Sequence, residues 1–162
     1  LHTLFPYTTL FRSMGSASTA PAATATPKTP SIYGTDVNKV KTSRLVQKAI
    51  ISGNNQVLLI KGKGYELEPL IVVAGKNVNT ILSFDLNKFD NPNGIFKIAS
   101  SDTGNNLTTF KGKNGTVKVA ITFSSTGIYS IKKDGNIVGG VVVVDDLEKT
   151  DLEKIRKDYI SD

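Results

Sequence analysis

The feature that most constrains the fold is a hydrophobic alternation with a period of two, which recurs in short segments between residues 56 and 144. In residues 116–123, for example, Val117, Val119, Ile121 and Phe123 alternate with smaller or polar side chains. Successive side chains of a strand point to opposite faces, so this pattern is typical of a strand with one face in a core. Glycine and asparagine turns separate the segments every 8–12 residues or so, roughly as in an all-β sandwich.

We therefore predict about seven strands. They are residues 56–61, 70–73, 78–86, 95–99, 116–123, 128–132 and 137–144. The last two are predicted to form a hairpin around Asp134-Gly135, a strong turn signal. Residues 141–144 are four valines, as expected of a central strand covered on both sides. The glycine-lysine strings 61–64 and 111–115 do not have the spacing of phosphate-binding loops and are predicted to be hairpin tips.

Helical periodicity flanks this region on both sides. Residues 36–47 are predicted to form a short helix inside a lead-in segment, residues 33–55, whose end is expected to be strand already at 49–52. The sandwich is predicted to span residues 56–147. Helical periodicity resumes at Asp145, and residues 148–162 are expected to be an amphipathic C-terminal helix.

The first 32 residues are not expected to belong to the folded domain. Residues 3–13, TLFPYTTLFRS, match the translation of a common short-read sequencing adapter, so we interpret residues 1–13 as an artefact and exclude them from fold reasoning. On that interpretation the natural protein is expected to extend further upstream. Residues 14–32 are rich in Ala, Thr and Pro and are predicted to be a disordered linker.

The composition excludes several kinds of chemistry. The chain has no cysteine, and its one histidine, His2, lies in the segment interpreted as an artefact. Thiol catalysis, Ser-His-Asp triads and the usual zinc sites therefore lack their essential groups. We predict no enzyme activity and no cofactor.

The net charge of +6 and the scattered lysines indicate either a solvated surface or attraction to an anionic surface such as phospholipid headgroups. Arginine is scarce and no aromatic-basic interleaving is present, so a nucleic-acid partner is not predicted.

Four segments resemble a cupredoxin-like domain, and they do so in the same order. Residues 64–76, GYELEPLIVVAGK, resemble its opening strand and glycine-lysine turn, and residues 84–94, FDLNKFDNPNG, resemble the strand and loop that present the first metal ligand. Residues 116–130 resemble the approach to the second ligand loop, and residues 139–147 the final strand. The resemblance implies a cupredoxin-like Greek-key β-sandwich.

The same resemblance implies a degenerate metal site. Metal-binding members carry Cys or His in the first loop, where this chain has Pro92 and Asn93. They carry a Cys-x-Met cluster in the second loop, where this chain has Ile131, Lys132 and Lys133. A blue-copper site needs imidazole and thiolate ligands, so we expect no bound metal.

More narrowly, the chain is similar to the C-terminal cupredoxin-like domain of bacterial membrane proteins of the sulfite exporter TauE/SafE family. That similarity implies a metal-free accessory domain outside the cytoplasm, tethered to the membrane through a missing N-terminal part. Its expected partners are the transmembrane part of its own parent chain and an unidentified protein or anionic surface. The alternative is a free-standing secreted, immunoglobulin-like adhesion or carbohydrate-binding module.

Overall fold

The computed structural model describes residues 40–160, which form a two-sheet β-sandwich with two short helices. The helices are α1 (Thr42–Leu45) and α2 (Leu152–Tyr159). The strands, in chain order, are β1 (Val46–Lys48), β2 (Ile50–Ser52), β3 (Asn55–Gly64), β4 (Glu66–Glu68), β5 (Ile71–Gly75), β6 (Asn79–Phe89), β7 (Ile95–Ser100), β8 (Asn106–Lys111), β9 (Thr116–Ile121), β10 (Gly127–Lys133) and β11 (Asn136–Val144). The predicted all-β sandwich with two short flanking helices is confirmed.

The two sheets mix parallel and antiparallel pairs. The six-stranded sheet has the order β1-β5-β11-β10-β7-β8, in which β1, β5 and β11 are parallel and the other pairs are antiparallel. The five-stranded sheet has the order β2-β3-β6-β9, with β4 added to β3. The chain passes from one sheet to the other six times, and two of these crossings, β1 to β2 and β8 to β9, connect an edge strand of one sheet with an edge strand of the other.

The main core lies between the sheets, and the period-two pattern fills it. Leu82, Phe84 and Leu86 of β6 are fully buried there, as the sequence predicts. From the six-stranded sheet, Val141 and Val143 point into the same core. These apolar side chains supply most of the stabilisation of the sandwich, because burial of each is worth about 1.5–3 kcal/mol.

A second core covers part of the outer face of the six-stranded sheet. Val73 and Val142 point away from the main core and pack with Leu45 of α1 and Ile155 of α2. The valine run therefore belongs to a central strand with apolar contacts on both faces, which confirms the prediction for residues 141–144. Within residues 40–160, neither helix has the length and hydrophobicity needed to span a bilayer.

Both helices are shorter than predicted. Of the helix expected at 36–47, residues 36–39 lie outside the described part of the chain, and α1 ends at Leu45 because Val46 joins the sheet as the partner of Ile71. The second helix begins only after Asp151, whose carboxylate accepts a hydrogen bond from the Glu153 amide at 3.0 Å. A side-chain cap of this kind fixes where a helix starts.

The two glycine-lysine strings differ in outcome. Residues 61–64 end β3 at the tip of the predicted hairpin, because Lys63 pairs with Glu66 of β4 and Gly64, at φ 60°, begins the turn. Gly62 lies under the Phe89 ring with no room for a larger side chain. Residues 112–115 connect β8 of one sheet with β9 of the other, so this segment is a crossover between sheets and not a hairpin tip. Strands β1, β4 and β8 were not predicted, because β1 and β4 are short and β8 is a largely polar edge strand.

One buried amide joins the sheets. Gln56 of β3 is fully buried, and its Nε2 donates to the Gly75 carbonyl at 2.9 Å and to Thr80 Oγ1 at 2.8 Å. Its Oε1 accepts from the Gly75 amide at 3.0 Å. Gly75 belongs to the six-stranded sheet and the other two residues to strands of the five-stranded sheet, so this side chain fixes one sheet against the other.

We predict that Gln56→Leu lowers the free energy of unfolding by about 2–4 kcal/mol, because it leaves the buried polar groups of Gly75 without partners. Urea denaturation measures the change. The matched control is Gln47→Leu. The exposed Gln47 side chain donates a hydrogen bond to the Ser43 carbonyl, and its replacement is expected to lower the free energy of unfolding by less than about 0.5 kcal/mol. Equal stability of the two variants would contradict the assigned role of Gln56.

Candidate functional site

The loop positions singled out from the sequence lie at one end of the sandwich. Pro92 and Asn93 belong to the loop between β6 and β7, and Lys133 ends β10 beside the turn to β11. Strands β7 and β10 are antiparallel neighbours with Lys133 opposite Phe96, so the end of one strand meets the start of the other. The fold thus brings together the two loops that were singled out from the sequence.

The turn from β10 to β11 is built by Asp134 and Gly135. Both have positive φ, 50° and 87°, which is the conformation of the tight two-residue hairpin turn predicted from the Asp-Gly pair. The turn is tied to the β6–β7 loop by two hydrogen bonds: the Ile95 amide donates to Asp134 Oδ1 at 3.0 Å, and the Asp134 amide donates to the Ile95 carbonyl at 2.9 Å.

Lys133 contributes an ion pair to this end. Its Nζ lies 3.3 Å from Asp134 Oδ2, and the side chain is only 14% exposed. The hydrogen bond from the Ile95 amide, followed by that from the Lys133 ammonium, lowers the pKa of the Asp134 carboxyl below its ordinary value. A largely buried lysine side chain therefore lies beside Gly94 of the β6–β7 loop.

Two glycines allow the loops to approach so closely. A Cβ atom on Gly94 would lie 2.6 Å from Lys133 Cε and would clash with Asp134 Oδ2. A Cβ atom on Gly112 would clash with the Pro92 carbonyl oxygen, and the Gly112 amide donates to the Gly94 carbonyl at 2.9 Å. The crossover between β8 and β9 thus holds the β6–β7 loop from the other side.

Four phenylalanines lie beneath the loops in one contiguous cluster. Phe110 packs on Phe84 at a ring-centroid distance of 5.0 Å and stacks on Phe96 at 5.1 Å, and Phe96 lies 5.8 Å from Phe89. Aromatic pairs at these distances add to the stabilisation from area burial alone. The cluster forms the part of the apolar core that lies next to these loops.

The other two positions point elsewhere. Ile131 is fully buried in the main core, and Lys132 lies on the outer face of the six-stranded sheet, opposite Lys97. Of the five positions named from the sequence, only Pro92, Asn93 and Lys133 therefore lie at the loop end. Asp134, which was not among the five, also lies at this end, and the Asp-Gly turn signal marked its position in the sequence.

The residues at this end do not fit a copper ion. Cupredoxin-type copper takes imidazole nitrogens and a thiolate, and neither the β6–β7 loop, with Asp90, Asn91 and Asn93, nor the β10–β11 turn, with Lys133 and Asp134, carries such a group. Nowhere in residues 40–160 do three or more His, Cys, Asp or Glu side chains group in a way that could hold a metal ion.

Comparison with solved structures identifies the fold. The chain is similar to the metal-binding domain of the Cu(I)-exporting P-type ATPase CopA of Streptococcus pneumoniae D39, with a TM-score of 0.50 and 16% identity over 61% of this chain and 95% of that one. It is also similar to a copper-binding protein in its apo form, with a TM-score of 0.49 and 20% identity over 60% and 96% of the two chains. A third similar structure, auracyanin of Roseiflexus castenholzii, has a TM-score of 0.45 and 13% identity over 57% and 99%.

No protein-family model matches this sequence, and no curated protein matches it. At these identities the structural likeness speaks for the fold alone. Together with the two-sheet topology it confirms the sequence-based prediction of a cupredoxin-like β-sandwich.

We predict that the Asp134 carboxyl titrates below the range of a free aspartate. Its folded-state pKa is lowered, so its contribution to stability is present above the unfolded-state pKa and is lost as the pH falls through the folded-state value. The Ile95 amide proton, followed by NMR between pH 6 and 2 or so, reports this step because it donates to the carboxylate. Asp134→Asn should abolish the titration at Ile95, and an unchanged curve in that variant would contradict the assignment.

Proposed function

We propose that this chain is a cupredoxin-like accessory domain that works without a metal and without catalysis, and that binds a partner outside the cytoplasm. The observation that carries the proposal is the Lys133–Asp134 ion pair between the two loops, where a cupredoxin would place metal ligands. An ammonium group at that place repels a cation, and its partner carboxylate is already engaged.

The packing of the loop end supports a structural role for these residues. The hydrogen bonds between Asp134 and Ile95, and that between Gly112 and Gly94, tie three segments together by protein contacts alone. A metal ion holds its ligand loops in place through coordination. In this chain the ion pair and the backbone hydrogen bonds serve that purpose.

The proposed setting follows from the sequence similarity to the extracytoplasmic domain of TauE/SafE-type membrane proteins. In that setting the domain is tethered to the membrane, and the transmembrane part of the same parent chain is its first partner. A lysine-rich exterior, with a net charge of +6 for the whole chain, is compatible with a second, anionic partner.

We predict that the full chain does not retain Cu(I) or Cu(II) against a competing chelator. Competition with bicinchoninate for Cu(I), and calorimetric titration with Cu(II), measure this. The experiment needs a His2→Ala variant as its control, because His2 is the one imidazole of the chain, lies outside the described residues and is a potential copper ligand.

Binding that disappears in His2→Ala belongs to the N-terminal segment and leaves the proposal intact. One equivalent of copper retained by His2→Ala and lost in Asp134→Ala would place a metal at the loop end and overturn the metal-free assignment.

The proposed parent protein is tested separately, by reading the genomic DNA upstream of the Met14 codon. We expect it to encode several apolar segments of roughly 20 residues, each long enough to cross a bilayer. A stop codon or a signal peptide alone at that place would refute the membrane-protein assignment and favour a free-standing secreted module.

A further inference from the structure

In the described residues 40–160, helices cover only part of the outer face of the six-stranded sheet. Helices α1 and α2 pack over β1, β5 and β11 and form the second core there. Among the same residues, neither helix packs on the adjoining part, which consists of β7, β8 and the end of the β10–β11 hairpin. We call this part the lysine face, and it presents Lys97, Lys111 and Lys132 together with Ile95 and Ile137.

The register of the strands brings these side chains side by side. Lys132 lies directly opposite Lys97 on one side and Ile137 on the other, and Ile95 lies opposite Lys111. Directly opposed residues of antiparallel strands have Cβ atoms about 4.5–5.5 Å apart, and like charges at that separation destabilise a sheet. The Lys97–Lys132 pair is therefore unfavourable for the isolated domain.

Among residues 40–160, no ion pair offsets this repulsion. Every ion pair found there involves other lysines or arginines, so Lys97, Lys111 and Lys132 have no acidic partner in the described part of the chain. On the exterior of the five-stranded sheet, Asp85 lies opposite Lys61, and Lys63, which lies opposite Lys88, is ion-paired with Glu68 at 3.6 Å. Two lysines of that exterior therefore have acidic neighbours, which the three lysines of the lysine face lack.

The lysine face also exposes aliphatic side chains. Ile95 is 42% exposed and Ile137 is 44% exposed, and both lie next to a lysine in the register. Lysine stems cover apolar surface while their ammonium groups extend to polar surroundings. Lysines interleaved with exposed aliphatic side chains match the boundary between lipid headgroups and acyl chains, where both kinds of group find partners.

We propose that the lysine face docks on a bilayer that contains anionic lipids. This deepens the proposed function and rests on it, since a domain tethered to a membrane protein stands beside lipid. The charge of the face is complementary to anionic headgroups, which would also relieve the repulsion between Lys97 and Lys132. The side chains belong to regular strands, so the surface exists before binding.

A lipid surface fits this face better than an acidic polypeptide does. The charges are spread over three strands, β7, β8 and β10, with Ile95 beside Lys111 and Ile137 beside Lys132. Several anionic headgroups of a bilayer can pair at once with lysines that are spread over a flat face. The boundary between headgroups and acyl chains can accommodate the isoleucine side chains. A single acidic segment would follow one strand direction and would leave the isoleucines exposed.

The test is sedimentation of the full chain with vesicles of phosphatidylcholine containing phosphatidylglycerol, and with vesicles of phosphatidylcholine alone. We expect binding only to the anionic vesicles, and weaker binding at high salt. The triple variant Lys97→Gln, Lys111→Gln, Lys132→Gln should weaken binding on the order of 100-fold, since each lysine near an anionic surface contributes about fivefold. Ile95→Ser with Ile137→Ser should weaken it further.

The matched control changes three exposed lysines of the other sheet to glutamine. They are Lys61, Lys88 and Lys118. This variant has the same net charge as the first, so an equal loss of binding would show general charge attraction and overturn the assigned face. Absence of binding by the unmodified chain would overturn the proposal too. Tighter binding to soluble polyglutamate than to vesicles, lost in the first triple variant, would assign the face to an acidic protein instead.

Circular dichroism and urea denaturation of each variant exclude loss of folding as the cause. The copper titration is independent of this experiment. Retention of copper at the loop end would refute the metal-free function without changing the vesicle result, and failure of vesicle binding would leave the copper result unchanged.

Discussion

The arrangement of the two sheets depends on the buried amide of Gln56. Three hydrogen bonds join this side chain to Gly75 at the end of β5 and to Thr80 at the start of β6. The hydrophobic contacts between the sheets are not directional, so they favour contact without fixing how the sheets are aligned. The amide of Gln56 supplies a directional contact that joins β3 and β6 of one sheet to β5 of the other.

Much of the fold could be predicted from the sequence because its strands are amphipathic or fully apolar. The alternation of β6 and β9 and the valine run of β11 are properties of single segments, and the structure confirms them. Strand β8 was missed because it is a largely polar edge strand whose inward side chain, Phe110, is a single aromatic residue in a polar stretch. Its place is decided by tertiary contacts with Phe84 and Phe96, which no local pattern reveals.

The candidate site could be predicted only in part for a similar reason. Sequence order identified the two loops, and the fold brings them together. Which side of the sheet a residue near these loops faces depends on strand register. The register of β10 places Ile131 in the core and Lys132 on the exterior. The Asp134–Ile95 hydrogen bonds join residues 39 positions apart, so they could not be derived from spacing.

The two cores divide the six-stranded sheet into parts with different physical roles. One part of its outer face holds α1 and α2, and the other part, within residues 40–160, presents exposed lysine and isoleucine side chains. The division also means that α2 shields the outward-facing apolar residues of β5 and β11 from solvent, although α2 is not part of either sheet.

The contact between α2 and the region of α1 has a consequence for how such a domain can be placed in a longer polypeptide. Arg156 donates a hydrogen bond to Thr42 Oγ1 at 2.9 Å, so the first and last helices of the described domain lie side by side. A domain whose chain enters and leaves at neighbouring points can be inserted into a surface loop of another protein without forcing the flanking segments apart. In a tethered arrangement, the same geometry lets one attachment point orient the whole sandwich.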